Sequence, residues 1–169
     1  MTASPAPTAL PVWNILERAL ADNRLPHAVL LSAARLEEAE ALALELSGRL
    51  LDTSDPRLHP DFHELRPQKK ARQINIGTNA ERKGGEWPPN SMRRLTFDLS
   101  LSANAGERKV AVVYEADRMN RQTSNAFLKT LEEPPHGTTL ILLTERPYLL
   151  LATIRSRCMY LRLPETGAA

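Results

Sequence analysis

Hydrophobic positions along the chain follow two spacings. In "VWNILERALADNR" (12–24) and "LEEAEALALELSGRLL" (36–51) apolar side chains recur every three or four residues, which places them on one face of a helix. Four short runs are apolar at almost every position: "AVLL" (28–31), "VAVVY" (110–114), "TLILLT" (139–144) and "MYLRL" (159–163). Runs of this length, rich in branched residues, are typical of strands covered on both faces. The pattern therefore predicts two amphipathic helices and four buried strands.

Two further helices are predicted from their first residues. "NSMRRLTFDLS" begins at Asn90 and "NRQTSNAFLKTLEE" begins at Asn120, and an Asn at this position can cap a helix. Pro134 and Pro135 end the second helix, because proline cannot continue one. Helices and strands thus alternate, which predicts a doubly wound α/β domain whose ligands bind at the carboxyl ends of the strands.

Three segments lie outside this alternation. Residues 1–11 are rich in Pro, Ala, Ser and Thr and are predicted to be flexible. Residues 77–90, "GTNAERKGGEWPPN", contain three Gly and two Pro, which predicts a mobile surface loop. Residues 164–169 read as a tail, so the folded domain is predicted to span residues 12–163.

Composition narrows the class of protein without choosing a function. The chain has 169 residues, 22 basic and 20 acidic side chains and a net charge of +2, which neither implies nor excludes nucleic-acid binding. No stretch approaches the roughly 20 apolar residues of a membrane span, and the first residues lack the pattern of a signal peptide. Cys158 is the single cysteine and has no partner for an internal disulfide. We therefore expect a cytoplasmic protein without a membrane partner.

Four segments resemble one protein family. They are "RLPHAVLL" (24–31), "HPDFHEL" (59–65), "NAFLKTLEEPP" (125–135) and "LLATIRSRC" (150–158). In order and spacing they resemble the bacterial DNA polymerase III clamp-loader subunits of the AAA+ class, in particular the delta prime type. The resemblance implies an AAA+ type doubly wound parallel sheet of five strands flanked by helices. Family members continue into a helical lid domain and a collar domain, whereas this chain ends after the next strand; a fragment and a naturally short subunit both stay open.

The resemblance also implies partners. A clamp-loader subunit of this kind works in the replicative polymerase III holoenzyme, in the cytoplasm at the nucleoid. There it would meet the gamma/tau ATPase subunits and the delta subunit, and it would reach the sliding clamp and primed DNA through the assembly.

The loop that binds phosphate in active family members lacks its chemistry here. A working loop needs glycines for close backbone approach, a lysine for charge and a hydroxyl for magnesium. The family's glycine positions fall on Ala33, Leu36 and Glu38, and its lysine and hydroxyl positions fall on Ala39 and Glu40. We therefore expect no bound nucleotide or other cofactor and no ATPase activity from the chain itself. An ATPase of the same fold with an unconventional nucleotide site stays an alternative.

The second nucleotide motif is also incomplete. Active members end this strand in Asp-Glu, where Asp supports magnesium and Glu polarises the attacking water. Here Tyr114 stands at the Asp position and Glu115 follows it. Without the metal-supporting carboxylate we expect Glu115 to end the strand without a catalytic role, and Asp117 is in the wrong register to substitute. No metal is expected.

One motif keeps its functional residue. In the family the arginine of Ser-Arg-Cys enters the ATP site of the neighbouring subunit, and the matching residues here are Ser156, Arg157 and Cys158. Arginine suits this role because its guanidinium is always charged and bidentate. The alternative is that Arg157 pairs with a surface carboxylate. Arg155 is the weaker candidate, and Cys158 is expected to be a small packed side chain.

The remaining candidates have simpler interpretations. Thr144 matches a nucleotide-sensing position, but without a nucleotide we expect it to make a local hydrogen bond. His59, Asp61 and His63 give only a weak metal signal, since no fourth ligand accompanies them. The cluster "RPQKKAR" (66–72) offers Lys69, Lys70 and Arg72 as candidate DNA contacts. A solvated surface is the simpler interpretation, because no aromatic residue interleaves with these charges; a DNA-binding accessory module stays the second alternative.

Overall fold

A parallel sheet of five strands forms the centre of the protein. The computed structural model describes residues 5–165. The strands are β1 (Ala28–Ser32), β2 (Phe62–Leu65), β3 (Lys109–Val113), β4 (Thr138–Thr144) and β5 (Met159–Arg162). They are hydrogen-bonded in the order β2-β3-β4-β1-β5, and every pair is parallel. The predicted doubly wound parallel α/β sheet of five strands is confirmed.

The hydrophobic pattern predicted four of these strands and missed β2 as an element. Three of its four residues are only partly buried, because β2 lies at the edge of the sheet. Its sequence, "FHEL", has polar residues at two of its four positions and so lacks a continuous apolar run. The run "MYLRL" predicted a buried strand, but β5 is the other edge strand, and its Tyr160 and Arg162 are exposed.

Helices cover both faces of the sheet. They are α1 (Pro11–Ala21), α2 (Leu36–Leu51), α3 (Met92–Ser100), α4 (Arg121–Glu132) and the single turn α5 (Ala152–Arg155). Short 3-10 helices span Pro7–Ala9, Pro56–Leu58, Asn79–Glu81, Ala116–Arg118 and Pro147–Leu149.

Alternate residues of the three interior strands, β3, β4 and β1, enter two separate cores. In β1, Val29 and Leu31 pack with α1 and α2, whereas Ala28 and Leu30 pack with α3, α4 and α5. All five residues of β1 are buried, as are those of β3. This two-sided burial explains the apolar runs in the sequence and holds the loops at the carboxyl ends of the strands on a rigid base.

The folded region begins before the predicted boundary at residue 12. The 3-10 helix Pro7–Ala9 packs against α2, Leu10 is buried in the core, and α1 starts at Pro11. Leu10 supplies an apolar anchor that the Pro- and Ala-rich composition conceals. Residues 1–4 and 166–169, which belong to the predicted flexible segment and tail, lie outside the described residues.

The two predicted helix caps have different outcomes. Asn120 caps α4, because its side chain accepts a hydrogen bond from the Thr123 N–H at 2.9 Å. Asn90 does not cap α3; Ser91 does, by accepting from the Arg94 N–H at 3.2 Å. Asn90 instead has a positive φ of 54° and bonds the backbone of Arg66. The correction is one residue, since both Asn and Ser are good caps.

Residues 77–90 lie at the surface, as predicted, and contain local structure. Thr78 and Glu81 form a reciprocal capping box around the 3-10 helix Asn79–Glu81. Lys83 and Glu86 form an antiparallel bridge beside it, and the Arg82 guanidinium lies 4.4 Å from the centre of the Trp87 ring. The mobility of this loop stays a prediction.

We predict that Gly137 is required for the turn into β4. Its φ is +73°, and an added Cβ would lie 2.0 Å from the Glu107 carbonyl oxygen. Gly84 has a similar φ of +59° with nothing within 4 Å, so it is the matched control. Gly84→Ala should cost about 1–2 kcal/mol of unfolding free energy from backbone strain alone. Gly137→Ala should cost about 2 kcal/mol more, measured by denaturant unfolding, because backbone must also move. Equal losses in the two variants would contradict this.

Candidate functional site

Three neighbouring strands bring the residues of the candidate nucleotide site together at their carboxyl ends. β3, β4 and β1 are adjacent, and their carboxyl ends lead into Tyr114, Glu145 and Ala33 respectively. In doubly wound sheets, ligands bind at the carboxyl ends of the strands. The positions that the two nucleotide motifs predicted are therefore close together.

The N-terminus of α2 is occupied by a side chain of the protein itself. Only residues 33–35 separate β1 from α2, and the first helical N–H, that of Leu36, donates to Glu145 Oε1 at 2.7 Å. The first helical N–H groups have no partner within the helix and carry partial positive charge, so they favour an anion. Here the Glu145 carboxylate fills that role from the end of β4.

The five degenerate loop positions are distributed between helix, core and surface. Ala33 is buried at the end of β1, Leu36 begins α2, and Ala39 is fully buried against the sheet. Glu38 pairs with Arg35 at 3.0 Å, and Glu40 pairs with Arg57. The position that carries the lysine in active members thus faces the core.

Tyr114 is held by groups on β2 and just after it. Its hydroxyl donates to the Glu64 carboxylate, and the Arg66 guanidinium lies 3.6 Å from the centre of its ring. Burial, reinforced by the bond to Glu64, raises the pKa of Tyr114 above its ordinary value. Tyr114 is therefore a neutral hydrogen-bond donor and supplies no negative charge for a metal ion.

Glu115 is paired with two arginines. It adopts a left-handed conformation with φ 48°, and its carboxylate lies 3.0 Å from Arg72 Nη2 and 3.9 Å from Arg118 Nε. The contact to Arg72 crosses 43 residues of sequence, which is why the sequence did not predict it. Arg72, a predicted DNA contact, thus has a carboxylate partner within the molecule.

Thr144 makes the local hydrogen bonds that were predicted for it. Its hydroxyl donates to Asp117 Oδ1 at 2.6 Å and accepts from the Arg146 N–H at 2.9 Å. Asp117 is thereby tied to the end of β4.

Arg157 lies at the surface beside the C-terminal end of α4. Its Nη2 is 3.0 Å from Glu132 Oε1, its Nη1 donates to the Thr153 carbonyl at 2.9 Å, and 38% of its side chain is exposed. The surface pairing that was weighed as an alternative is thus present. Ser156 donates to the same carbonyl at 3.1 Å, and Arg155 is exposed. Burial raises the pKa of the Cys158 thiol to about 11, which leaves it protonated and a poor nucleophile.

Two of the three residues of the weak metal signal, His59 and Asp61, have hydrogen bonds within the protein. His59 Nδ1 accepts from the Asp61 N–H at 3.1 Å. The buried Asp61 carboxylate accepts from the backbone N–H groups of Asn104 at 2.6 Å and Ala105 at 2.8 Å. Over residues 5–165, no group of three His, Cys, Asp or Glu side chains could hold a metal ion.

Comparison with known proteins identifies the family to which the chain belongs. The family model described as "DNA polymerase III, delta subunit" matches residues 9–167. The chain belongs to this family.

Related proteins and structural neighbours match most of this chain but are much longer than it. DNA polymerase III subunit delta' of Pseudomonas aeruginosa is 35% identical over 111 residues, which cover 66% of this chain and 30% of that protein. DNA polymerase III subunit tau/gamma of Haemophilus influenzae is 31% identical over 153 residues, covering 90% of this chain and 22% of that one. A DNA polymerase III gamma subunit-related protein of Thermotoga maritima superimposes with a TM-score of 0.68 at 26% identity, covering 92% and 45%. The chain thus spans less than half the length of each, and its sheet has the AAA+ type of fold.

No helix within residues 5–165 is long and apolar enough to cross a membrane.

We predict that Glu145 stabilises the fold by capping α2. Glu145→Ala leaves the Leu36 N–H without its carboxylate, which should lower the unfolding free energy by about 0.5–2 kcal/mol. Denaturant unfolding measures this directly. Glu17→Ala, on the exposed side of α1, is the control and should change stability by less than about 0.5 kcal/mol. An unchanged unfolding free energy in Glu145→Ala would contradict the capping role.

Asp61 should make stability depend on acid pH. Burial alone would raise the pKa of Asp61, but the hydrogen bonds from Asn104 and Ala105 outweigh it and lower the pKa below its ordinary value. A lowered folded-state pKa stabilises the protein above the unfolded pKa of about 3.9, and this contribution is lost as pH falls through the folded pKa.

The test compares the wild type with Asp61→Asn. Unfolding free energies measured from neutral pH down to about pH 3 should fall more steeply in the wild type, while the variant is less stable at neutral pH. Parallel pH profiles would contradict the assignment.

Proposed function

We propose that this chain is a clamp-loader subunit that does not hydrolyse ATP and that donates Arg157 to the ATP site of a neighbouring ATPase subunit. Its partners are the gamma/tau and delta subunits in the cytoplasm, and through the assembly it helps to load the sliding clamp onto primed DNA. Family membership and the delta' and tau/gamma relatives support the assembly. The two finer elements, an inactive nucleotide site and an arginine acting in trans, are argued separately.

The contact between Leu36 and Glu145 is the observation that carries the first element. A phosphate at the N-terminus of α2 would need the N–H group that Glu145 already occupies at 2.7 Å. It would also meet the carboxylates of Glu37 and Glu38 in the first turn of the helix, and like charges repel. Binding would therefore require removal of Glu145 and would still lack a lysine.

The catalytic positions support the same proposal. Glu115 would have to lose its pairs with Arg72 and Arg118 before it could act on a water molecule. Tyr114 offers its hydroxyl to Glu64 and supplies no carboxylate to a magnesium ion. Both elements of ATP hydrolysis, metal support and water activation, are thus committed to other contacts.

The setting of Arg157 supports the second element. Exposed ion pairs contribute only about 0–1 kcal/mol, so the pair with Glu132 can be exchanged for a more strongly charged partner at small cost. The bond from Nη1 to the Thr153 carbonyl meanwhile holds one end of the guanidinium beside α5, and Nη2 is the end that would exchange its partner. A guanidinium held in this way can reach toward a phosphate of an adjacent subunit, and such fingers contribute ~10³–10⁵ in rate.

The proposal predicts that Arg157 affects hydrolysis by its neighbour. In a loader reconstituted with its ATPase subunits, clamp and primed DNA, Arg157→Ala should reduce the stimulated ATPase rate at least about tenfold, or about 1.4 kcal/mol of transition-state stabilisation. Arg155→Ala, two residues away and also exposed, is the matched control and should stay within about twofold of the wild-type rate.

Assembly must be checked for each variant by gel filtration. An unchanged rate for Arg157→Ala in an intact assembly would contradict the role in trans. Equal losses in both variants would point to a general effect of surface charge and would also contradict it.

A further inference from the structure

Arg157 lies in a negatively charged part of the surface. Glu132 is the last residue of α4 and Glu133 follows it, and both side chains are exposed. The carboxyl end of a helix also carries partial negative charge, because its last carbonyl groups have no partner within the helix. A guanidinium is therefore attracted to the end of α4, and a phosphate is repelled from it.

Of these two glutamates, only Glu132 forms an ion pair with the guanidinium. Its Oε1 lies 3.0 Å from Arg157 Nη2. Within residues 5–165, no cation lies within ion-pair distance of Glu133. Two neighbouring, exposed carboxylates thus differ in their contact with Arg157.

The backbone is fixed on both sides of this ion pair. His27 Nε2 donates to the Leu131 carbonyl at 2.9 Å, one residue before Glu132, and Leu131 is buried. The Arg157 N–H donates to the carbonyl of the buried Ile154 at 3.1 Å. An exchange of partners by Arg157 therefore requires only side chains to move.

Both terminal nitrogens of the guanidinium have a partner within the chain. Nη1 donates to the Thr153 carbonyl at 2.9 Å, and Nη2 pairs with Glu132. A phosphate that takes Nη2 must displace the Glu132 carboxylate or lie beside it, and like charges repel. Glu132 and a phosphate of the neighbouring subunit thus compete for the same nitrogen.

We propose that Glu132 restrains Arg157 until the ATP site of the neighbouring subunit is in place. Glu132 is a positioning residue, because it acts through Arg157 and touches no nucleotide. This inference rests on the proposed role of Arg157 in trans and adds its regulation. The pair holds the guanidinium on its own subunit. When clamp and primed DNA complete the assembly, the phosphate replaces the carboxylate.

The size of the restraint follows from the exposure of the pair. The side chains of Arg157 and Glu132 are 38% and 50% exposed. An exposed pair favours the bound geometry by a factor of about five at most, which corresponds to about 1 kcal/mol. Removing the Glu132 charge should therefore raise the free fraction of Arg157 about two- to fivefold. A triphosphate carries more charge than one carboxylate and can overcome this restraint.

The test measures ATPase rates of the reconstituted loader with and without clamp and primed DNA. Glu132→Gln removes the charge and keeps the size of the side chain. Glu133→Gln is the matched control with the same change of net charge. A double variant, Glu132→Gln with Arg157→Ala, is compared with Arg157→Ala alone to show whether the effect passes through Arg157. Each assembly is checked by gel filtration.

Without clamp and DNA, Glu132→Gln should raise the ATPase rate about two- to fivefold, and Glu133→Gln should stay within about 1.5-fold of the wild type. The double variant should have the rate of Arg157→Ala alone, because no finger is left to release. With clamp and DNA, Glu132→Gln should stay within about twofold of the wild type, since the phosphate then already holds Arg157.

Four results would overturn the restraint. They are a rate without clamp and DNA that Glu132→Gln leaves unchanged or lowers, an equal rise in Glu133→Gln, a rise that persists in the double variant, and an equal rise with clamp and DNA. The first is the result expected of a pair that serves only stability.

The restraint and the role in trans can fail separately. If Arg157→Ala slows the complete assembly and Glu132→Gln gives any of those four results, only the restraint is wrong. If Arg157→Ala leaves the rate of the complete assembly unchanged, the role in trans is wrong and the restraint is wrong with it.

Discussion

The hydrogen bond from the Leu36 N–H to the Glu145 carboxylate joins the start of α2 to the end of β4. It lies at the carboxyl ends of the strands, where ligands bind in this fold. It satisfies the positive end of the helix with an anion that belongs to the chain. A short loop of three residues between β1 and α2 makes the contact possible, since it brings the first turn of α2 directly over the neighbouring strand end. The N-terminus of α2 therefore has an anionic partner within the chain.

Other polar groups at the carboxyl ends of the strands also have partners within the chain. Glu115 is paired with Arg72, Tyr114 donates to Glu64, and Thr144 donates to Asp117. Each of these positions would face a metal ion, a water molecule or a phosphate in an active relative. Here each has a protein partner, and that hydrogen bond or ion pair offsets the cost of burying the group.

Sequence predicted the parts of this structure that depend on local pattern. Interior strands such as β1 and β3 were visible as apolar runs because both faces of the sheet are covered. The strand β2 was missed because its sequence, "FHEL", has no continuous apolar run, and the cap of α3 was placed one residue early because Asn90 and Ser91 both suit that position. The family resemblance located the positions of the phosphate loop, and their residue types predicted that no phosphate binds there. The contacts that these groups make within the chain could not be predicted, because Glu145 and Leu36 are separated by 109 residues, and Arg72 and Glu115 by 43.

We propose that the chain keeps the fold of a nucleotide-binding site and that the Glu145 carboxylate occupies the position of a phosphate. The most direct measurement is a calorimetric titration of the isolated chain with ATP and magnesium. We predict no saturable heat up to about 1 mM ATP, which corresponds to binding weaker than about −4 kcal/mol. Saturable binding in the micromolar range would contradict the account, because it would require the α2 N-terminus to be open to phosphate.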